Sequence, residues 1–289
     1  MKVSIDDTLY DQSEAKVSVF DHGLLYGDGL FEGMRVFGRR LFCFEQHLAR
    51  LETGAKAIGL ELPGGLERIR QSVRATVRAY GQDDAYVRLV VTRGEGPLGV
   101  DPTTCAKPRV ICIVGPIALF AEDKLRRGIE LLTVSQRRPP ADVLDPRVKT
   151  LNYMNNALAK LEARRRGADE ALLLNLAGNV AEASVANVFV FRQGELLTPP
   201  GTDGALEGIT RAAVLRLAPP LGIAARVSTI GRYDLLGADE VFLTGSGAGL
   251  VPVRSLDGRL VGKGEPGPVW QRLFSAYLEA TRRDGSPVD

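Results

Sequence analysis

Hydrophobic residues in the stretch 44–80 recur every three to four positions, the spacing of helices with one buried face. Leu48, Leu51, Ala55 and Ile58 share such a face in a helix predicted over 45–59, which Gly59 stops. A second helix is predicted over 66–80 and closes at Gly81. Upstream, Val17 to Phe37 mixes short apolar runs with glycines, and the turn Gly38-Arg39-Arg40 leads into Leu41-Phe42-Cys43-Phe44, which reads as a β-hairpin. Strands are predicted over 85–92 and 109–114. The first half therefore reads as a small α/β unit.

The pattern lapses from Gly115 to Gly128, a stretch that contains Pro116. It is read as a connection, which gives an N-terminal α/β domain at 1–116, a connection at 117–128 and a larger C-terminal domain at 129–289. In the second half a strand is predicted over 129–135. A helix follows over 153–166, with Met154, Ala157, Leu158 and Leu161 on its buried face and Gly167 as its stop. Further strands are predicted over 171–176, 188–192 and 241–244, a helix over 209–217 after Gly208, and a terminal helix over 270–282. The polar tail 283–289 is expected to fray. The fold class is α/β (α+β) with two domains.

Composition narrows the function classes. The chain has 289 residues, 45% hydrophobic and 25% charged, enough to bury a core without disulfide or metal staples. Its 37 basic and 35 acidic residues leave a net charge of +2, so there is no electrostatic case for a nucleic-acid or membrane partner. No apolar run reaches the ~18 residues of a membrane span. The opening Met1-Lys2-Val3-Ser4-Ile5-Asp6-Asp7 carries acids where a signal peptide has an apolar run, and a cytoplasmic location is expected. Cys43, Cys105 and Cys112 form no C-x-x-C pair and read as free thiols in a reducing compartment. With only His22 and His47, no metal site is expected.

Two glycine motifs point elsewhere and are set aside. Gly94-Glu95-Gly96-Pro97-Leu98-Gly99 fits G-x-G-x-x-G, but Val100-Asp101-Pro102-Thr103-Thr104 then opens no helix, as a dinucleotide site requires. Gly258 to Gly264 has the wrong spacing for a P-loop and ends in glycine where Ser or Thr is needed. A nucleotide-binding module is thus a distant alternative.

The chemistry lies in an ordered set of segments. Tyr26-Gly27-Asp28-Gly29-Leu30-Phe31-Glu32-Gly33 and Glu45-Gln46-His47-Leu48-Ala49-Arg50-Leu51 come first. Arg147-Val148-Lys149-Thr150-Leu151-Asn152-Tyr153 places a lysine just before a helix. Then follow Gly178-Asn179-Val180-Ala181-Glu182-Ala183-Ser184, Gly208-Ile209-Thr210-Arg211 and Thr244-Gly245-Ser246-Gly247. Together, from about Val17 to Pro268, they resemble the fold-type IV pyridoxal 5'-phosphate (PLP) family, which includes branched-chain aminotransferases, D-amino-acid aminotransferases and aminodeoxychorismate lyases.

The resemblance implies a role for each residue. Lys149 matches the lysine that holds the cofactor's aldehyde carbon as a Schiff base and shuttles the substrate's α-proton. Glu182, 33 residues further on, matches the acid that keeps the pyridine nitrogen protonated. Tyr153 matches the tyrosine bonded to the phenolic oxygen. Arg50, Ile209, Thr210 and Ser246 match the phosphate cup, in which helix N–H groups and hydroxyls meet the anion. The family usually has threonine at the Ser246 position, and serine keeps the hydroxyl.

On the substrate side, Tyr86-Val87-Arg88 resembles the Tyr-x-Arg of branched-chain aminotransferases, in which the tyrosine helps hold the α-carboxylate and the arginine helps accept the side-chain carboxylate of glutamate; the Gly247 backbone N–H would complete the carboxylate site. Tyr26 and Phe31 match aromatic positions of the side-chain pocket. The loop Gly94 to Pro102 lacks the arginine and histidine of D-specific enzymes. The resemblance thus implies transfer of the amino group of leucine, isoleucine or valine to 2-oxoglutarate by a homodimer or larger homo-oligomer, with PLP between the two domains. The run Glu182-Ala183-Ser184-Val185-Ala186-Asn187 is closer to the lyase branch, so 4-amino-4-deoxychorismate lyase is the alternative, followed by a D-amino-acid or amine transaminase.

Overall fold

The computed structural model describes residues 1–117 and 120–289, so positions 118 and 119 of the expected connection lie outside the described residues. Among the described residues the strands are β1 (Lys2–Ile5), β2 (Thr8–Asp11), β3 (Gly29–Phe37), β4 (Arg40–Phe42), β5 (Ala85–Thr92), β6 (Arg109–Gly115), β7 (Ile129–Arg137), β8 (Glu170–Leu174), β9 (Val180–Ala183), β10 (Asn187–Arg192), β11 (Glu195–Thr198), β12 (Ala224–Val227), β13 (Glu240–Gly245), β14 (Gly249–Leu256), β15 (Arg259–Leu260) and β16 (Gly285–Pro287). The helices are α1 (His22–Leu25), α2 (Phe44–Ala57), α3 (Gly65–Tyr80), α4 (Glu122–Arg127), α5 (Ala141–Leu144), α6 (Met154–Arg165), α7 (Ile209–Leu217), α8 (Arg232–Leu236) and α9 (Pro268–Arg283).

The chain divides into two units, one of Met1–Ile117, Val148–Asn152 and Thr281–Asp289, the other of Ala118–Arg147 and Tyr153–Ala280. Residues 148–152 and 281–289, placed with the C-terminal half in the sequence reading, thus belong to the first unit.

The first unit is built on an antiparallel sheet of order β16-β4-β3-β5-β6-β1-β2. Its β3–β4 hairpin turns on Gly38 and Arg39, with φ of 52° and 59°; positive φ at both turn residues matches the twist of the flanking strands. Phe44 opens α2 instead of extending β4. Apolar residues of α2 and α3, including Leu48, Leu51, Ile69 and Val73, pack with Leu30, Met34, Val87 and Leu89 of the sheet. The tail does not fray. Gly285–Pro287 pairs with β4, and Val288 is buried, so residues too polar to advertise a strand complete the sheet edge.

The second unit is a mixed sheet of order β12-β11-β10-β13-β14-β7-β8-β9, with β15 on β14. Its parallel pairs are β11–β12, β14–β7 and β7–β8. Helix α6 reverses the expected face. Met154 is 70% exposed and Leu158 and Leu161 are each 43% exposed, while Ala159 and Ala163 are buried against Val134, Ala171 and Leu173. Small side chains let the helix lie close to β7 and β8, and the larger apolar ones are left outside.

The loop 94–99 follows β5, whose sheet neighbours are both antiparallel, and a single 3-10 turn at Pro102–Thr104 comes after it. The βαβ crossover of a dinucleotide site is not built there.

Candidate active site

In the first unit, the segment 148–152 runs alongside β3. Phe31 N donates to Lys149 O at 3.1 Å, and Leu151 N donates to Gly29 O at 3.0 Å. Only glycine permits this approach: a Cβ on Gly29 would stand 2.5 Å from Val91 O and 2.7 Å from Leu151 Cδ1. The register brings the Lys149 Nζ to 4.3 Å from the centroid of the Phe31 ring. The Arg88 guanidinium carbon lies 4.6 Å from the same centroid and 5.6 Å from that of Tyr86. Arg88 Nε donates to the Tyr86 hydroxyl at 3.2 Å. Phe31, Tyr86, Arg88 and Lys149 are thus brought together on one patch, where two cations address one buried aromatic ring.

Tyr26 is placed differently. Its hydroxyl accepts from Gly99 N at 2.9 Å, and its ring meets His22 edge-on at 4.9 Å. His22 in turn bonds Pro97 O at 3.0 Å, so Tyr26 anchors the 94–99 loop.

Arg50 projects from α2 into an ion pair that the sequence reading missed. Its Nε and Nη2 donate to the two oxygens of Glu32 at 2.8 and 2.7 Å, and His47 Nδ1 donates to Glu32 Oε2 at 2.7 Å. Burial pushes the Glu32 carboxyl up, but the charges and hydrogen bonds of Arg50 and His47 outweigh it and hold it at about 2. Burial pulls the His47 imidazole below its ordinary value, against the pull of Glu32.

In the second unit, Glu182 lies on β9 and is 5% exposed. Its Oε1 accepts from Arg138 Nη2 at 2.7 Å, and its Oε2 accepts from Asn187 Nδ2 at 3.1 Å and Leu206 N at 3.0 Å. Arg138 also donates to Asn156 Oδ1 at 3.1 Å, and Asn156 donates to Ser184 O at 2.6 Å. The helix that Tyr153 caps is therefore tied to the glutamate through Asn156 and Arg138.

Asn187 is a second hub. It pairs with Thr244 across β10 and β13 and donates to Leu206 O at 2.7 Å, two residues before Gly208. Gly208 is the N-cap of α7, and a Cβ on it would come within 1.9 Å of Asn187 Oδ1. Ile209 and Thr210 form the first turn, with Thr210 buried, and no side chain caps it. Ser246 and Gly247 occupy the turn from β13 to β14, both partly exposed. Arg138 carries no motif of its own, and nothing in the order of residues links it to Glu182. Asn187 closes the run that begins at Glu182, but its place in that run does not show that its amide holds the carboxylate.

A family model described as amino-transferase class IV matches residues 29–256. The chain belongs to the class IV aminotransferase family. It is 43% identical over 289 residues to a putative branched-chain-amino-acid aminotransferase of Methanocaldococcus jannaschii, covering 100% of this chain and 99% of that one. Its fold is similar to that of the Escherichia coli branched-chain amino acid aminotransferase, with a TM-score of 0.93 at 33% identity over 96% of this chain and 93% of the other. It is also similar to the T.th. branched-chain amino acid aminotransferase complexed with N-(5'-phosphopyridoxyl)-L-glutamate, with a TM-score of 0.91 at 38% identity over 98% and 94%. This class IV chain is thus aligned with these relatives across both of its units.

Proposed function

We propose that this class IV aminotransferase uses pyridoxal 5'-phosphate to move the amino group of leucine, isoleucine or valine to 2-oxoglutarate. The observation that carries the reading is the patch around Phe31. It sets a primary amine, Lys149, and a guanidinium, Arg88, within 4.3 and 4.6 Å of one ring centroid. The first suits an aldehyde carbon and the second a carboxylate.

The residues present fit the cofactor. The first turn of α7 has no side-chain cap, and its Gly208 leaves no room for a Cβ. Its free N–H groups at Ile209 and Thr210, with the Thr210 hydroxyl, suit a phosphate. Glu182 is a buried carboxylate held by three donors, suited to a ring nitrogen that must keep its proton. Arg50, Tyr153 and Ser246 are the remaining residues of the proposed set. When bound, the cofactor supplies an aldehyde carbon for the amino group and a ring that takes up the electron pair released at the substrate's α-carbon. Lys149 holds that carbon at rest and carries the α-proton during transfer.

On the substrate side, Arg88, whose Nε donates to the Tyr86 hydroxyl, takes the side-chain carboxylate of glutamate, while Tyr86 and the Gly247 N–H serve the α-carboxylate. Phe31 supplies apolar surface for the branched side chain, and Tyr26 holds the 94–99 loop through Gly99 N. The relative complexed with a phosphopyridoxyl-glutamate supports glutamate and 2-oxoglutarate as the second pair.

A homodimer belongs to the proposal. The stripe of Met154, Leu158 and Leu161 on α6 is exposed apolar surface of the kind that a second copy covers. No helix among the described residues is long and apolar enough to cross a membrane. The three free thiols support a reducing, cytoplasmic setting.

The test is the visible absorption of the PLP-loaded protein. L-leucine is expected to bleach the band of the lysine-bound cofactor, and 2-oxoglutarate to restore it. Bleaching by D-alanine alone would make the enzyme D-specific. A band that neither amino acid changes would favour the lyase or an amine-specific enzyme.

A further inference from the structure

Glu32 and His47 are both buried, and the reaction proposed above does not use them. Both converge on Arg50. Along β3 successive side chains alternate between faces, so Glu32 faces away from Phe31 and toward α2. From α2, His47 and Arg50 project three residues apart, on the same side of one turn. The Glu32 carboxylate takes Arg50 Nε at 2.8 Å on one oxygen and Nη2 at 2.7 Å on the other, and His47 Nδ1 donates to the second oxygen at 2.7 Å.

Two parallel bonds fix the plane of the guanidinium, and the third fixes the carboxylate. The side chains are graded in exposure, 1% for Glu32, 2% for His47 and 14% for Arg50. The end of the cluster that meets solvent is therefore Arg50.

We propose that Glu32 and His47 are positioning residues that pre-orient the Arg50 guanidinium for the cofactor's phosphate; this rests on the reading of Arg50 as a phosphate ligand. Two effects of the carboxylate oppose each other. Its charge offsets part of the guanidinium's attraction for a dianion. Its hydrogen bonds remove rotamer freedom that a loose arginine would lose on binding. Orientation wins, because a planar donor meets phosphate through directed bonds and the cation is already partly buried.

In Glu32→Gln, whichever way the amide turns, an N–H faces a donor, either Arg50 Nε or the pair Arg50 Nη2 and His47 Nδ1. The guanidinium is then released.

The experiment titrates full-chain protein, freed of cofactor, with PLP and with pyridoxal, which lacks the phosphate. The ratio of the two dissociation constants reads the phosphate preference, and general loosening of the fold cancels in it. Glu32→Gln is expected to lower the preference by about tenfold to a hundredfold, the equivalent of a hydrogen bond to a charged group. Arg50→Gln should lower it at least as far, and the double variant no further than Arg50→Gln alone.

A preference that stays or rises in Glu32→Gln while falling in Arg50→Gln overturns the positioning role and leaves Arg50 as the phosphate ligand. A preference unchanged in Arg50→Gln removes that ligand, and the inference with it. If Glu32→Gln does not fold, Glu32→Asp keeps the charge but shortens the reach. A smaller fall in preference then supports the role, and an unchanged preference overturns it.

Discussion

Arg138 Nη2 donates to Glu182 Oε1 at 2.7 Å, and the two side chains are 8% and 7% exposed. A buried ion pair of this kind adds little over a well-packed apolar pair, but removing one partner leaves a charge stranded. Arg138→Gln is expected to lower the unfolding free energy by about 3–5 kcal/mol, read as an earlier midpoint in urea. A shift of under about 1 kcal/mol would mean that Asn187 and Leu206 N alone satisfy the carboxylate.

Acid should weaken the first unit through Glu32 and His47. The Glu32 carboxyl is held at about 2 in the fold, against 4.5 in an open chain. The stability it contributes is therefore present above pH 4.5 and is lost as pH falls toward 2. The His47 value is also lowered in the fold from 6.5, so the unfolded chain takes up its proton first and stability already begins to fall below that pH. Thermal midpoints measured from pH 8 to 4 should decline with acid, and the decline should be shallower in His47→Gln, which removes the imidazole and one of the groups that lower the Glu32 carboxyl. Equal slopes in the two proteins would show that the cluster does not carry the acid sensitivity.

Arg88 should matter more for the acidic substrate than for the apolar one. Arg88→Leu keeps an apolar chain over Phe31 but removes the donor to Tyr86 and the charge. The kcat/KM for 2-oxoglutarate is expected to fall about ten- to a hundredfold, and the reaction with leucine to fall less. Equal losses for both substrates would move the side-chain carboxylate site elsewhere.

The exposed stripe on α6 makes the oligomer testable. Leu158→Glu with Leu161→Glu places two charges on that face without touching buried Ala159 or Ala163. Light scattering should show a dimer in the parent protein and monomer in the double variant. A dimer that survives the change would put the interface on another surface.

Much of the fold was legible because its signals are local. Helix α7 begins at a residue following glycine and β5 alternates along its length, and both occupy the predicted positions. The α6 face was misread because its large apolar residues recur at helical spacing, while the sheet accepts only Ala159 and Ala163 beneath it. Strand β16 was missed because three polar or turn-forming residues show no alternation, and only its partner β4 makes it a strand.

The proposed site divides in the same way. Lys149 and Glu182 stand in recognisable motifs. Their supports are remote in sequence: Arg138 is 44 residues from Glu182, and Glu32 is 18 from Arg50. Among 37 basic and 35 acidic residues, no spacing rule selects those pairs.

The most direct test of the account is the absorption spectrum of PLP-supplemented Lys149→Ala beside the parent protein. The parent is expected to show the visible band of a lysine-bound cofactor, bleached by L-leucine and restored by 2-oxoglutarate. Lys149→Ala should show only free PLP and no transamination, with its fold intact by circular dichroism. The same lysine-bound band in Lys149→Ala would contradict the account, because another amine would then hold the cofactor.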